Sequence, residues 1–479
     1  MINITKQETA ICTHSFPTTF TRKKIKPHKK QDSKGFSVAA VAVLATTILL
    51  LLGALFIFIQ MRPYFESIHF ERLNTSWGLA IVVGSAAILT IRLGFLLYLF
   101  VLSLRYKSDH SVSDTFLPTC TVIVPAYNEG ALVWDTLISL ANSNYPIDKL
   151  QIIAIDDGSQ DDTWAWMQKA ERVLGERLTL HRQPKNMGKR QALYRGFKIA
   201  TGDVLVTVDS DSVVDKNTLR NLVTPFVLNN KCGAVAGNVR VLNHSKAIIP
   251  KMLNVSFTFS FEFVRSAQSV LGSVLCTPGA LAAYRRDLVL ACLPEWLNQT
   301  FMGRPSNIGE DRAMTNMILK QGFKVLFQRN AYVYTNIPEK YNKLYKMFVR
   351  WERSNVRENI AMTKFAFSNF REGAKTGTRI MLLQQWLKLT LSFPLTALML
   401  YFACSYPILF FTSTLLGVFV FGSVQVFFYA KRYDFWGSVW AYVYGIFYTF
   451  TLFWITPYAI ATAGKAGWLT RDLITKKGS

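Results

Sequence analysis

Residues 37–59 contain no charged side chain and are rich in Ala, Val, Leu and Ile. At 1.5 Å per residue, a helix of that length crosses the roughly 30 Å hydrocarbon core of a bilayer. Residues 21–34 precede it and carry Arg22, Lys23, Lys24, Lys26, Lys29, Lys30 and Lys34. A cleaved signal peptide would have a shorter apolar run followed by a small-residue cleavage site. A retained helix is therefore expected, with its amino-terminal side in the cytoplasm.

A second apolar stretch, residues 77–104, ends at Arg105 and Lys107, which returns the chain to the same side. Arg92 stands within it, and an ionisable group at membrane depth has to face protein or water, or snorkel to the interface. Three further apolar segments occupy residues 383–403, 406–429 and 435–462. Lys431 and Arg432 share one short loop and favour the inside. Three straight crossings would put the basic carboxyl end (Lys465, Arg471, Lys476, Lys477) outside, against the positive-inside tendency. Either residues 383–403, with Lys388 and Pro394, lie in the interface, or the last segment re-enters.

Half of the chain is hydrophobic and only 18% is charged, which excludes a disordered chain, a fibrous repeat or an ordinary soluble enzyme. The formal charge of +24 suits anionic lipid or a phosphate-bearing substrate. Nucleic acid is not an expected partner, because the basic tail abuts a membrane helix and suits membrane lipids. Cys12, Cys120, Cys232, Cys276, Cys292 and Cys404 are scattered, with neither a CxxC nor a paired spacing. A reducing compartment follows, without disulfide framework or zinc site. No internal repeat is evident. The expected organisation is a basic cytoplasmic tail (1–36), two transmembrane helices (37–104), a cytoplasmic α/β domain with interfacial helices (105–377), carboxyl-terminal transmembrane helices (378–463) and a basic tail (464–479).

Within residues 105–377 short β-branched runs alternate with helical patterns. Residues 120–124, 152–155 and 204–208 read as buried strands, and residues 131–141, 163–173 and 190–200 as helices between them. Such alternation predicts a mostly parallel, doubly wound sheet whose ligands bind beyond the carboxyl ends of its strands. The first strand runs into PAYNE (125–129) and the second into DDGS (156–159), followed by Asp161, Asp162 and Thr163. Turns and helix caps use the same residue types, so each alone would pass for structure.

The strand at 204–208 emerges as Asp209-Ser210-Asp211. In an extended chain residues i and i+2 share a face, so both carboxylates can point at one spot, with Asp161 and Asp162 expected not far off. Two carboxylates so close repel unless a cation intervenes, and Mg²⁺ or Mn²⁺ takes such oxygens together with substrate phosphates. Gly188, Lys189 and Arg190 open a helix, a plausible diphosphate seat through backbone N–H groups, helix dipole and side-chain charge. Glu310 and Asp311 open the helical pattern at 313–320, either as favourable first-turn acids or with Asp311 as a general base. Residues 348–354 and 362–370 form an aromatic, cationic stretch suited to the headgroup plane.

In this order the motifs PAYNE, DDGS, GKR, DSD, LCTPGAL, IGEDR and RW followed by ERSNVRE resemble the processive family 2 glycosyltransferases: hyaluronan synthases, chitin and chitin-oligosaccharide synthases and poly-N-acetylglucosamine synthases. The resemblance covers roughly residue 105 to the carboxyl end. It implies a GT-A (Rossmann-like) α/β catalytic domain on the cytoplasmic face of a multi-pass plasma (inner) membrane protein. By position it implies that Tyr127 and Glu129 contact the uracil and that one of Asp156 and Asp157 helps to hold the uridine. Lys189, with Arg190 beside it, would approach the diphosphate. Asp209 and Asp211 would serve nucleotide and metal, Asp211 foremost as ligand. Asp311 matches the catalytic base, with Glu310 beside it, and Arg350 and Trp351 match the motif that clamps pyrophosphate and lines the acceptor site. Cys276, Thr277 and Gly279 fall in the loop that touches the acceptor sugar. Residues 467–471 look like the terminal motif of hyaluronan synthases, with Leu469 where a glycine is usual.

One departure is Met347, where the family pattern has a glutamine; a thioether cannot replace that amide's hydrogen bonds. The resemblance thus implies an inverting, UDP-sugar-dependent β-glycosyltransferase, with UDP-N-acetylglucosamine the expected donor and a growing glycan the acceptor. Met347 motivates an alternative, a single transfer to a lipid acceptor such as ceramide. A transporter or nucleotide-binding regulator without catalysis is a third reading, supported by Arg92 and Lys388 but opposed by the acids concentrated outside the membrane segments. Nothing in the sequence specifies a partner subunit or a homo-oligomer.

Overall fold

The computed structural model describes residues 38–465. The basic tail at 21–34 and the motif at 467–471 lie outside the described residues. The first apolar stretch is helix α1 (Val38–Gln60), followed by a short polar helix α2 (Arg62–Leu73) and the long α3 (Ser76–Arg105). Thr75 caps α3 by accepting from the Gly78 N–H at 3.1 Å. Arg92 is exposed on α3 and does not reach the interior of the chain.

The domain that follows is built on one eight-stranded mixed sheet. Its strands are β1 (Cys120–Ala126), β2 (Leu150–Asp156), β3 (Leu178–Arg182), β4 (Val204–Thr207), β5 (Ser212–Val214), β6 (Cys232–Val241), β7 (Ala282–Arg285) and β10 (Lys324–Thr335), in the spatial order 3-2-1-4-7-6-10-5. A separate two-residue hairpin pairs β8 (Thr300–Phe301) with β9 (Arg304–Pro305). Strands β3, β2, β1 and β4 are parallel, as the alternating pattern predicts. The far half is not: β7 runs antiparallel between β4 and β6, and β5 antiparallel to β10. The sequence pattern described the first half only, because β6, β7 and β10 are not joined by regular strand–helix–strand units.

Helices α4 (Leu132–Ala141), α5 (Thr163–Leu174), α6 (Lys189–Ile199), α7 (Thr218–Leu228), α8 (Ile248–Phe259), α9 (Ser266–Val270), α10 (Arg286–Leu297) and α11 (Glu310–Lys320) cover the sheet. Strand β1 is buried at every position, with Val122, Ile123 and Val124 wholly enclosed, as expected of a strand covered on both faces. Between α8 and α9 the helix widens into a π-turn over Ser260–Arg265, a feature that often marks functional sites.

Helix α12 (Tyr341–Ala366) leads to the apolar helices α13 (Thr376–Ser405) and α14 (Pro407–Arg432). The polar face of α12 is buried against its neighbours, with Arg353, Arg357, Glu358 and Asn359 all inside. Residues 348–354 of the stretch expected at the headgroup plane thus belong largely to a joint between the sheet domain and the apolar helices, while Thr363, Lys364, Phe367, Ser368 and Asn369 of its second part are exposed. The last segment is a short α15 (Phe435–Ser438) followed by α16 (Trp440–Thr451) and α17 (Ile455–Ala461), with a 47° bend at the break. Its end returns to α12, where Arg357 donates to the carbonyls of Ala463 at 2.8 Å and Lys465 at 2.9 Å. Among the described residues, four helices (α1, α3, α13 and α14) are long and apolar enough to cross a membrane, five if the bent segment is one span.

Candidate active site

The carboxyl ends of β1, β2 and β4 open into a cavity of about 1470 Å³ that also touches α12, α13, α16 and α17. Tyr127 and Glu129 stand on its wall after β1. Their loop is held from behind, since Thr163 Oγ1 accepts from the N–H groups of Glu129 and Gly130, each at 2.8 Å.

The two aspartates of DDGS divide their work. Asp156 is wholly buried, accepts from the Ser159 N–H at 3.0 Å and pairs with Arg182 at 3.1 Å. It does not line the cavity. Asp157 does, and it accepts from the N–H groups of Met187 and Gly188, both at 2.8 Å. That clamp fixes the loop that launches α6. Gly158 makes it possible: its φ is +72° and a Cβ there would sit 2.5 Å from the Lys185 carbonyl carbon.

Asp161 and Asp162, expected near the DSD acids, stay at the β2–α5 corner. Asp161 accepts from the Gly130 N–H at 3.1 Å, and Asp162 from the Trp166 indole at 2.8 Å. Their carboxylates are engaged there: Asp161 also accepts from the Thr163 N–H at 3.0 Å, next to its own position.

Asp209 and Asp211 both line the cavity, but not from an extended strand: β4 ends at Thr207 and residues 209–212 form a turn in which the Ser212 N–H donates to the Asp209 carbonyl at 3.1 Å. Asp209 pairs with the Lys189 ammonium, which also lies 3.5 Å from Glu310. Burial alone would depress the Lys189 ammonium, but Asp209 and Glu310 outweigh it and hold it above lysine's usual range. Arg190 lines the cavity too but turns its guanidinium inward, donating to the Trp296 carbonyl at 2.5 Å and to Gln299 Oε1 at 3.0 Å.

Asp311 stands in the first turn of α11, whose start is set by Gly309 at φ +79°. One carboxylate oxygen accepts from the Arg312 N–H at 2.7 Å, the other from the Gly279 N–H at 3.2 Å, with the Cys276 thiol 3.8 Å away. Burial, and then the neighbouring Glu310 charge, raise the Asp311 carboxyl above the ordinary aspartate value, with Lys189 opposing. A carboxylate made more basic in this way is suited to accepting a proton. Burial and the Asp311 charge push the Cys276 thiol up to about 12, so it stays protonated.

Gly279 faces Lys189 so closely that a Cβ there would lie 2.7 Å from Nζ. Thr277 is different: it is wholly buried, bonded to Tyr284 and Thr315 through its hydroxyl, and does not reach the cavity. Arg350 and Trp351 line the cavity from α12, the Trp351 ring packing against Phe257 and Phe348. Met347 also lines it, and packs with Val241, Leu253, Ile337 and Leu344, which gives the wall an apolar patch at this point.

Sequence reasoning missed Arg265 and the partner of Lys388. Arg265 sits on the π-turn, lines the cavity, donates from Nε to the Cys276 carbonyl at 3.4 Å and covers the Phe261 ring at 3.6 Å. No local pattern announces a π-turn. Lys388 was visible as a cation in an apolar segment, yet Glu352, its 2.7 Å partner, lies 36 residues earlier.

The donor set fits a hard divalent cation. Two carboxylates, Asp209 and Asp211, line the same cavity, and among the described residues no cluster of three or more His, Cys, Asp and Glu forms a dedicated cage. Mg²⁺ characteristically takes one or two carboxylates and completes its shell with water and substrate phosphate.

Residues 118–354 match the family model described as glycosyltransferase like family 2. An N-acetylglucosaminyltransferase of Rhizobium sp. (strain N33) is 30% identical over 255 residues, 53% of this chain and 56% of that protein. Hyaluronan synthase of Streptococcus pyogenes is 32% identical over 253 residues, 52% of this chain and 59% of that protein. The chain thus spans less than two thirds of the length of these curated relatives. A mannosyltransferase from Pyrobaculum calidifontis, solved in complex with GDP-Man and Mn²⁺, superposes with a TM-score of 0.54 at 21% identity, covering 77% of this chain and 97% of its own. That likeness is one of fold: the mixed sheet is GT-A-like.

Proposed function

We propose that this chain, whose residues 118–354 are a family 2 glycosyltransferase domain, is a membrane-bound inverting β-glycosyltransferase that polymerises sugar from a UDP-sugar, UDP-N-acetylglucosamine foremost, and exports the product. One observation carries the reading: Asp311, Glu310, Lys189, Asp209 and Asp211 line a single cavity at the strand ends of a GT-A-like sheet.

In this mechanism Tyr127, Glu129 and Asp157 face the nucleoside. Lys189 and Arg350 meet the diphosphate, with the amino-terminus of α6 behind it. Asp211 and Asp209 would hold Mg²⁺ or Mn²⁺, which neutralises charge on the leaving diphosphate. Asp311 takes the proton of an acceptor hydroxyl as its oxygen bonds to the anomeric carbon and the bond to the diphosphate oxygen breaks. Attack from the face opposite an α-linked leaving group yields a β-linkage. Positioned general bases contribute about 10²–10⁴ in rate, and preorganised charge usually more.

The site is proposed to lie on the cytoplasmic face of the plasma (inner) membrane. Arg105 ends α3, and Lys431 and Arg432 end α14, on the side of the catalytic domain. A last segment that bends and returns to α12 brings Lys465 back beside Arg357, on that same side.

The test uses purified protein in lipid with a panel of UDP-sugars, measuring UDP release and sizing the product. Asp311→Asn is expected to abolish transfer while UDP binding survives; full transfer by that variant refutes the role. A single sugar on a lipid, instead of a ladder of oligomers, would select the lipid-acceptor alternative.

A further inference from the structure

The cavity continues past Asp311. Lys388 of α13, Tyr444 and Tyr448 of α16 and Thr456 of α17 line it together with the acids described above. On the proposed reading, the hydroxyl that meets Asp311 belongs to the end of a glycan, whose preceding sugars must occupy this extension.

Lys388 stands in a helix apolar enough to cross a membrane, about 18 Å along it from Thr376 at 1.5 Å per residue. An ionisable group at such depth is costly, and those that persist pair with one another and line ligand paths. The four long apolar helices contain no Asp or Glu, so the partner comes from elsewhere. Glu352 of α12 supplies it, accepting from Lys388 Nζ at 2.7 Å. Glu352 also accepts from Asn355 Nδ2 at 2.9 Å and from Thr456 Oγ1 at 3.4 Å, so both carboxylate oxygens are engaged. Asn355 in turn accepts from Arg312, the residue after Asp311. A polar chain therefore links the helix bearing the candidate base to the apolar helices.

The ammonium has three N–H donors, and its side chain is 41% exposed while lining the cavity. Well-packed apolar residues could replace a buried ion pair at little cost to the fold, so stability alone does not account for this one. Its aromatic surroundings and few polar groups are those of a binding pocket, with Tyr444 and Tyr448 5.8 Å apart. The pair is also charge-balanced: one ammonium faces one carboxylate.

We infer that Lys388 and Glu352, with Tyr448 and Thr456, form a binding station for a preceding sugar of an uncharged glycan, Lys388 donating to a hydroxyl or amide oxygen. A glycan bearing a carboxylate on alternate sugars gains nothing from a balanced pair. The station therefore selects a neutral polymer, such as one of N-acetylhexosamine alone. This deepens the proposed function and rests on it.

The test compares wild type, Lys388→Met and Glu352→Gln in lipid, supplied with UDP-N-acetylglucosamine and either a neutral N-acetylglucosamine oligomer or an oligomer with the same acceptor end and glucuronate among its preceding sugars. Lys388→Met is expected to raise the KM for the neutral oligomer about tenfold, the loss of one charge-assisted hydrogen bond, and to shorten products, with UDP affinity unchanged. Glu352→Gln leaves the ammonium unbalanced and is expected to weaken the neutral oligomer while improving the one with glucuronate among its preceding sugars. Wild-type acceptor KM and product length in both variants would overturn the station. A wild type that prefers the oligomer with glucuronate among its preceding sugars would overturn its selectivity. A wild type that releases no UDP from any UDP-sugar would instead overturn the proposed function.

Discussion

Gly279→Ala isolates the contribution of Lys189 placement. Gly279 is not in the left-handed backbone region, so alanine meets no conformational penalty there. The added Cβ would sit 2.7 Å from Lys189 Nζ, and ordinary contact begins at 3.4 Å, so the ammonium retreats by about 0.7 Å. The atom that moves is the end of a flexible side chain, so the fold absorbs the change within about 0.5 kcal/mol. Catalysis is less forgiving, because a misplacement of about 1 Å costs about 10²-fold. A retreat of about 0.7 Å then lowers kcat/KM about 25-fold, or about 2 kcal/mol of transition-state stabilisation. The assay is UDP release from UDP-N-acetylglucosamine below saturation, with thermal unfolding as the control for folding. Because the clash acts through Lys189, alanine at 279 should add little on a Lys189→Ala background. Wild-type kcat/KM in folded Gly279→Ala, or full additivity with Lys189→Ala, refutes the reasoning.

Asp311 works as a carboxylate and its pKa is raised, so the acid limb of the rate profile should fall at a pH above that of an ordinary aspartate. The same shift favours the folded state below the unfolded value and is lost as pH rises through the folded one. Asp311→Asn should therefore raise the melting temperature at neutral pH, as calorimetry can check. Glu262 pairs with Arg240, both almost fully buried, and accepts from Tyr433 at 2.8 Å and Arg432 at 3.4 Å beyond and at the end of α14. Arg240→Met should destabilise by about 3–5 kcal/mol in denaturant titration, and a second change, Glu262→Leu, should recover much of that. Gly158→Ala forces a side chain against the Lys185 backbone at positive φ, so UDP affinity should fall as the Asp157 clamp on residues 187–188 opens. Chelation of divalent cations should stop UDP release, and Mn²⁺ or Mg²⁺ should restore it unless Asp211 is replaced by Asn.

The acids at the strand ends were legible because their geometry is local. Asp209 and Asp211 follow the apolar run of β4 directly and both reach the cavity, though from the turn between β4 and β5 and not from the period-two alternation of a strand. Asp311 was legible as a first-turn residue of α11, but that position suits a helix cap as well as a base. Which of the DDGS aspartates faces a ligand was not legible. Asp156 is claimed by Arg182 from β3 and Asp157 by the start of α6, and neither partner follows from a spacing rule. Thr277 shares a loop with Cys276 and Gly279 but points into the core at Tyr284 and Thr315.

The sequence by itself determined the membrane-compatible helices, three of the four parallel strands (β1, β2 and β4) and the acids that follow them. These depend on hydrophobic period and on short-range backbone geometry, which few residues encode. Only the tertiary structure decided the mixed half of the sheet, where β7 and β5 run against their neighbours while β6 and β10 pair in parallel, the π-turn that carries Arg265, and the return of α17 to α12. It alone brought Lys388 to Glu352 and Arg240 to Glu262, pairs separated by 36 and 22 residues. Such contacts form where distant segments bury each other's charges, and the free energy that selects them belongs to the packed whole.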